Sequence, residues 1–472
     1  MKISEIFVVG LICVFSLSDA WSATYTAASC NVANVQTAVN SASDGDTVII
    51  PNGSCTWTSG ILTSKQIRIS GATVPTRTNT ATDGTTIVHA AGRNTLFVFT
   101  IGNSFNSTIA NLRFQATTGT GSYVKMLGTG KPPLMHDIYM NEPASSLAFT
   151  TEWYVAGGVI WNCTFESTTN NGACSHGNTA GDNIKLTSTV NWDNASTMGT
   201  NDTNGQTNTY IEDCIFINLP TIDVDENARV VLRHCNLRSP TTGGSHGPTS
   251  TYGGRHVEIY DNTFSLPDKD VDVIRYYWMR GGTGVFTGNS FQAITLGSCH
   301  GGTRATLQFI VENTTRTTSH NCCTAWECFH QPGSGSNGTS RHDYLSANQT
   351  PYDSYQIPEP VYIWGNSGTG NTVALLTSTN NQTDDCGKGY VTTDFFVQNQ
   401  DYFVSTDSSA AKPGWTRYTY PHPLRQSKPP LTGPLQVPHK TYRFNLKNCG
   451  EWRMNSHTLK ERIYIGLARI NV

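Results

Sequence analysis

Five segments of this 472-residue chain repeat one pattern. Alternating apolar positions lead to a polar residue, then Cys or Asn, one further residue, and Phe or Leu. They read I-W-N-C-T-F (160–165), I-E-D-C-I-F (211–216), V-L-R-H-C-N-L (231–237), V-E-I-Y-D-N-T-F (257–264) and V-F-T-G-N-S-F (285–291). The pivots are Cys163, Cys214, Cys235, Asn262 and Asn289, with weaker copies at Asn111, Asn313 and Asn366. Successive pivots lie 52, 51, 21, 27, 27, 24 and 53 residues apart. Four of these are single periods and three are close to double ones. A near-constant period in this range implies a solenoid.

The unit is too short for a helix pair and alternates with period two, so the coils are β-strands stacked in parallel. Phe and Leu then fill the interior. The Cys and Asn pivots form an inward ladder at one turn, where an Asn can bond the backbone of the coils above and below. Stacked Cys at that turn are either small buried apolar groups or a disulfide between neighbouring coils. The expectation is one solenoid over about residues 45–370.

Composition agrees. Only 14% of residues are charged, 43 are Gly, and about one residue in seven is Thr. That excludes a long coiled coil and a disordered chain, and favours strands with many turns. The net charge of −3 argues against a nucleic-acid partner held by bulk positive charge. Lys2, the 12-residue apolar run from Ile6 to Leu17, and the small residues Ser18 and Ala20 make a secretory signal over residues 1–20. That run is too short to span a bilayer comfortably, and no second one follows. Outside it 12 Cys remain, an even number that fits disulfides in an exported chain. Cys30 and Cys55 bracket the first helix and strand and are expected to pair. Cys322, Cys323 and Cys328 lie near His320 and His330, where a disulfide-stapled loop or a zinc site is possible.

The segment V-Q-T-A-V-N-S-A-S-D-G-D-T-V-I-I-P-N-G (35–53) reads as a helix presenting Val35, Ala38 and Val39 on one face, a Gly45-Asp46 turn, and a strand from Thr47 to Ile50. With the repeat, it resembles the opening of the right-handed parallel β-helix of the pectin lyase-like superfamily. E-P-V-Y-I-W-G-N (359–366) through Y-T-Y-P-H-P-L (418–424) is similar to the closing part of secreted bacterial proteins of this class. The likeness covers about residues 25–425. It implies an all-β right-handed parallel β-helix with an N-terminal helix near residues 31–43 capping its open end. The domain plan is then a signal peptide (1–20), the β-helix with capping helix and closing segment (21–424), and a tail (425–472). That tail is Pro-rich, then basic, with nine Lys or Arg against two Glu. The stretch V-V-L-R-H (230–234) has Arg233 where pectate lyases of the fold carry Asp, so the resemblance is to the superfamily and not to that enzyme.

The charged residues concentrate. Residues 223–280 hold 15 in 58, about 26%. Counted back from the ladder, Glu226, Gly253, Arg280 and Arg304 share a register on consecutive coils. Asp223, Asp225, Glu226, His246, Arg255, Arg275 and Arg280 are therefore expected to line one open groove. The resemblance implies a carbohydrate-active protein, with two chemistries open to it. A polysaccharide lyase takes the proton beside a uronate carboxylate, using a base and a cation that neutralises the carboxylate. His246, Arg255, Arg275 and Arg280 are the candidates. A glycoside hydrolase needs two or three carboxylates around the scissile bond. Asp223, Asp225 and Glu226 are candidates for that, or for holding Ca²⁺, which favours carboxylate oxygens. Tyr276, Tyr277 and Trp278, with His300 and Arg304, are candidate contacts to the sugar. The partner expected is an extracellular polysaccharide. A non-catalytic glycan-binding, adhesive or structural protein is the alternative, because one fold hosts many functions.

Overall fold

Successive coils contribute short strands to three parallel sheets. The computed structural model describes residues 22–426, apart from 91, 93, 118–120, 143–148, 168–183, 191–193, 201, 219–221, 239–242, 246–253, 266–276, 280, 292–306, 312–332, 334, 336–358, 369–372, 378–381, 384–388 and 391–397. The sheets have twelve, ten and eight strands, and their neighbours are successive coils. This is the expected parallel β-helix.

Period-two alternation sorts the side chains. In strand Arg229–Arg233, Val230 and Leu232 join the central core while Arg229, Val231 and Arg233 face outward. The core is continuous from Val35 to Tyr402. Its Phe residues stack along the solenoid, with ring centroids 5.1 Å apart for Phe165–Phe216 and 4.7 Å for Phe264–Phe291.

The ladder lies at the turn between the twelve- and ten-stranded sheets. Asn262 Nδ2 donates to Asn289 Oδ1 at 3.1 Å, and Asn289 Nδ2 donates to Asn366 Oδ1 at 2.9 Å. The same oxygens accept the backbone N–H of Asn262 (3.1 Å) and Asn289 (3.0 Å). Each amide thus satisfies chain atoms that the bend would otherwise leave buried and unpaired. Cys163, Cys214 and Cys235 continue the ladder as buried free thiols, which selects the apolar alternative over a disulfide.

The residue before each rung is left-handed. Asn111, Asp137, Asn162, Asp213, His234 and Asp261 have φ between 51° and 58°, and Gly288 and Gly365 have 65° and 59°. Asn, Asp and Gly tolerate this region best. Asn111 therefore belongs to the turn and not to the ladder, whose rung in that coil is Leu112. Its expected place is corrected by one residue.

The spacing is corrected too. Gly158–Trp161 pairs directly with Thr209–Glu212, so the 51-residue step is one coil with a long excursion, whereas the 52-residue step holds two. Asn289 bonds Asn366 directly, which leaves no rung for Asn313; that residue lies outside those described.

The helix Val32–Ser41 buries Val35, Ala38 and Val39 against the first coils, as its pattern requires. Lys65 Nζ donates to the carbonyls of Val39, Asn40 and Ala42 at 3.0, 2.6 and 2.6 Å, a favourable cation at a helix C-terminus. Cys30 and Cys55 form the expected disulfide, Cα–Cα 5.8 Å. The solenoid is longer than expected: strand Thr24–Thr26 precedes the helix, and Tyr402–Val404 closes the twelve-stranded sheet.

Candidate functional site

The described ions of the charge-rich coils on the twelve-stranded sheet are covered. On the twelve-stranded sheet, Glu212, Arg233, Arg229, His256 and Glu258 all face outward, and all are buried. The loop over residues 194–208 and a strap over residues 405–426 lie across them. Arg233 donates to Glu212, to Tyr418 O (2.7 Å) and to Thr419 O (2.7 Å). Arg425 donates to Glu212 Oε2 at 2.8 Å and Asp213 Oδ2 at 2.6 Å. Arg417 grips Asp261 with two bonds, 2.7 and 2.9 Å. Burial, then the neighbouring Arg255, hold Arg229 down to about 10.

Arg255 belongs to this layer and not to a groove. It is fully buried, with Nη1 and Nη2 donating to Glu359 at 2.7 and 2.9 Å and Nε donating to Asn194 O at 3.3 Å. Tyr277 is also corrected: it is 2% exposed and packs 5.7 Å from Phe286, so it is core and not a platform for sugar.

The other described candidates share the outer face of the eight-stranded sheet. Ile222 and Val224 point into the core, so Asp223 and Asp225 point out. Asp223 pairs in register with Lys185, Lys185 with Glu152, and Glu152 with Lys125. The row extends through Val98 to Leu62 at one end and through Gly244 to Trp278 at the other. Eight strands thus align eight positions over about 34 Å at roughly 4.8 Å per strand.

Within the row Lys125 Nζ lies 2.7 Å from Glu152 Oε2 and 4.6 Å from the centroid of the Tyr154 ring. Lys185 Nζ lies 3.3 Å from Asp225 Oδ2. Burial pushes the Glu152 carboxyl up, but hydrogen bonds from Lys125 and Ser122 outweigh it and hold the group below its ordinary value. Burial, followed by the hydrogen bond and charge of Glu152, pushes the Tyr154 phenol above its ordinary value, so it stays protonated.

Asp225 Oδ1 accepts the Glu226 backbone N–H at 2.8 Å, and Glu226 sits in the left-handed region with φ 35°. Among the described residues no three His, Cys, Asp or Glu side chains converge as a metal cage. With Asp225 engaged by Lys185, Asp223, Asp225 and Glu226 do not make a ready calcium ligand set.

His246, Arg275, Tyr276, Arg280, His300 and Arg304 lie outside the described residues, as do Gly253, the Cys322, Cys323 and Cys328 group and the tail from residue 427; the backbone of Trp278 is described but its side chain is not. The register of the neighbouring strands differs from the count made at the ladder. Val224 pairs with Ser245, and Ser245 with Met279. Glu226 is then two residues past its strand position and Arg280 only one.

Lys125, Glu152, Tyr154 and Lys185 escaped the sequence reading. Their signal was present in V-K-M-L (124–127), T-E-W-Y (151–154) and I-K-L-T (184–187), each with a charge at its second position, flanked by apolar residues in the first and third and by Thr151 and Trp153 in the second. These strands precede the turn that holds no ladder, so no pivot marks them.

No family model matches the chain, and no curated protein does. Two solved structures share a weak likeness. Against ORF18 of Geobacillus virus E2 the TM-score is 0.32 at 14% identity, over 60% of this chain and 56% of that one; the chain thus spans just over half of the viral protein. Against an alginate lyase from Paenibacillus sp. str. FPU-7 the TM-score is 0.28 at 15% identity, over 57% of this chain and 95% of that one.

Proposed function

We propose that this chain is a secreted carbohydrate-active β-helix protein that cleaves an acidic polysaccharide by β-elimination along the outer face of the eight-stranded sheet. The observation that carries this reading is the register row from Leu62 to Trp278, with Lys125, Glu152, Lys185 and Asp223 at its centre. A polymer needs a long track, and a solenoid supplies one only across its strands. Lys185 meets the uronate carboxylates, and Arg275 and Arg280, candidates from the sequence alone, are assigned the same task. His246, a candidate from the sequence alone, is assigned to take the proton beside the carboxylate, and the protonated Tyr154 phenol is a hydrogen-bond donor to the sugar further along the row. His246 and Arg280 are the residues next in sequence after two described strands of this sheet, Gly243–Ser245 and Trp278–Met279.

The test is incubation of the purified chain with a panel of polyuronates, sulfated glycans and neutral glycans. Lyase action releases unsaturated uronate, read by its ultraviolet absorbance, together with new reducing ends. Reducing ends without that absorbance assign a glycoside hydrolase instead. Retention on a glycan with neither signal assigns a non-catalytic binder.

A further inference from the structure

A proton count beneath the strap identifies a second device, independent of the sugar chemistry. Tyr418 Oη lies 2.7 Å from Thr197 O and 2.7 Å from Glu258 Oε1. A carbonyl and an ionised carboxylate only accept, and a phenol carries one hydrogen. Two such contacts need two hydrogens. Gly199 N–H is shared between Tyr418 Oη at 3.1 Å and Glu258 Oε1 at 3.3 Å, and Asn208 Nδ2 points at Tyr418 Oη at 3.3 Å; neither hydrogen lies between the two oxygens, so neither fills the gap. The remaining source is a hydrogen on Glu258.

We infer that Glu258 is a carboxylic acid in the closed protein, and that its ionisation unlatches the strap over residues 405–426 from the twelve-stranded sheet. Its hydroxyl donates to Tyr418 Oη, Tyr418 donates to Thr197 O, and Glu258 Oε2 accepts Trp415 Nε1 at 2.6 Å. Two strap aromatics and the 194–208 loop are thereby joined through one proton. Loss of that proton leaves a buried carboxylate and two acceptors sharing the single Tyr418 hydrogen.

The groups facing Glu258 allow this. On its own strand His256 Nε2 stands 3.9 Å away and is held neutral, well below its ordinary value, by burial and then by Arg229 and Arg255. Tyr260 on the same strand and Tyr210 on the sheet are phenols pushed up by burial. In register, Val231 and Val285 flank Glu258 on the neighbouring strands. From the strap come Trp415, Tyr418 and the distant charge of Lys412, and from the loop Gly199 N–H. Burial raises the Glu258 carboxyl to about 7, and the hydrogen bonds and Lys412 offset only part of that. A carboxyl with a raised folded pKa binds its proton more tightly folded than unfolded. Its contribution is full below the ordinary carboxyl range and is lost as pH rises through about 7.

The experiment uses the full chain. Infrared difference spectra of wild type against Glu258→Gln across pH 5.5–8.5 read the C=O band of a buried acid. Hydrogen exchange of strap amides, expressed as opening constants, reads the latch. The expected result is an acid band at pH 6 that titrates near 7. Strap opening in wild type then rises by up to about tenfold per pH unit as pH approaches that point and levels off above it, and it stays flat throughout in Glu258→Gln. The Gln amide can donate to Tyr418 in the acid's place. An absent band at pH 6, or opening constants with the same pH slope in both proteins, overturns the inference. Should Glu258→Gln fail to fold, Tyr418→Phe serves: it removes the acid's acceptor and is expected to shift the band, and an unshifted band overturns the inference equally.

Discussion

Arg255 and Glu359, 104 residues apart in sequence, meet in a two-pronged ion pair with both N–O distances under 3 Å. The pair ties the turn before one strand of the twelve-stranded sheet to the residue that leads into the strand Val361–Trp364 two coils on. Such a fork is a clamp between coils. Arg255→Ala leaves Glu359 half-buried and unpaired, and is expected to cost about 3 kcal/mol in urea unfolding, with Arg255→Lys recovering only part. Normal stability with abolished polymer cleavage would return Arg255 to the catalytic list.

The Asn ladder makes a sharper stability prediction. Asn289 Oδ1 accepts two bonds from Asn262, and Asn289 Nδ2 donates to Asn366 Oδ1 and Ile259 O. Asn289→Ala strands buried donors and acceptors on three coils, a loss of about 2–4 kcal/mol. Cys214→Ala removes only a small buried thiol and is expected to cost about 1 kcal/mol. Equal shifts in the denaturant midpoint for the two variants would contradict the distinction between amide and thiol rungs.

Cys30 and Cys55 close a loop with a sequence separation of 25 at the capped end of the solenoid. Cross-linking over such a loop is worth about 3 kcal/mol through the unfolded chain. The double variant Cys30→Ser, Cys55→Ser is expected to unfold at lower temperature by that margin. Peptide mapping of the native protein should recover the two half-cystines joined, and free thiols at both positions would refute the bridge.

The ladder was legible because one residue type recurred at one turn, and because a buried bend has a chemical need that Asn meets. Phe165, Phe216, Phe264 and Phe291 followed from the same register. The fate of the charges was not legible. Glu212, Arg233 and Glu258 sit on outward positions of their strands, where period two predicts solvent. The path of a strap 160–210 residues later in the chain, together with the 194–208 loop, makes them buried. Counting from the ladder also failed at the eight-stranded sheet, because the coils differ in length at the turns between ladder and strand. An error of one residue there exchanges the core face for the outer one.

The row on the eight-stranded sheet predicts how an acidic polymer is held. Lys125 and Lys185 keep 27% and 20% of their side-chain surface, and each already has a carboxylate neighbour. Their partners are more covered, Glu152 at 12% and Asp225 at 4%, so losing the lysine strands a largely buried carboxylate in each pair. The double variant Lys125→Ala, Lys185→Ala is therefore expected to lose about 3 kcal/mol or more in urea unfolding, and its binding is read under conditions where it remains folded. Removing both cations leaves Glu152, Asp223 and Asp225 facing the track, a local charge that repels a polyanion. Affinity for a polyuronate is expected to fall at least tenfold at low salt, with a smaller loss at high salt where screening already weakens both proteins. Retention of a neutral glycan, if one binds, should be unaffected. Calorimetric titration at two ionic strengths reads all three outcomes. Unchanged polyuronate affinity at low salt would remove the eight-stranded face from the binding track.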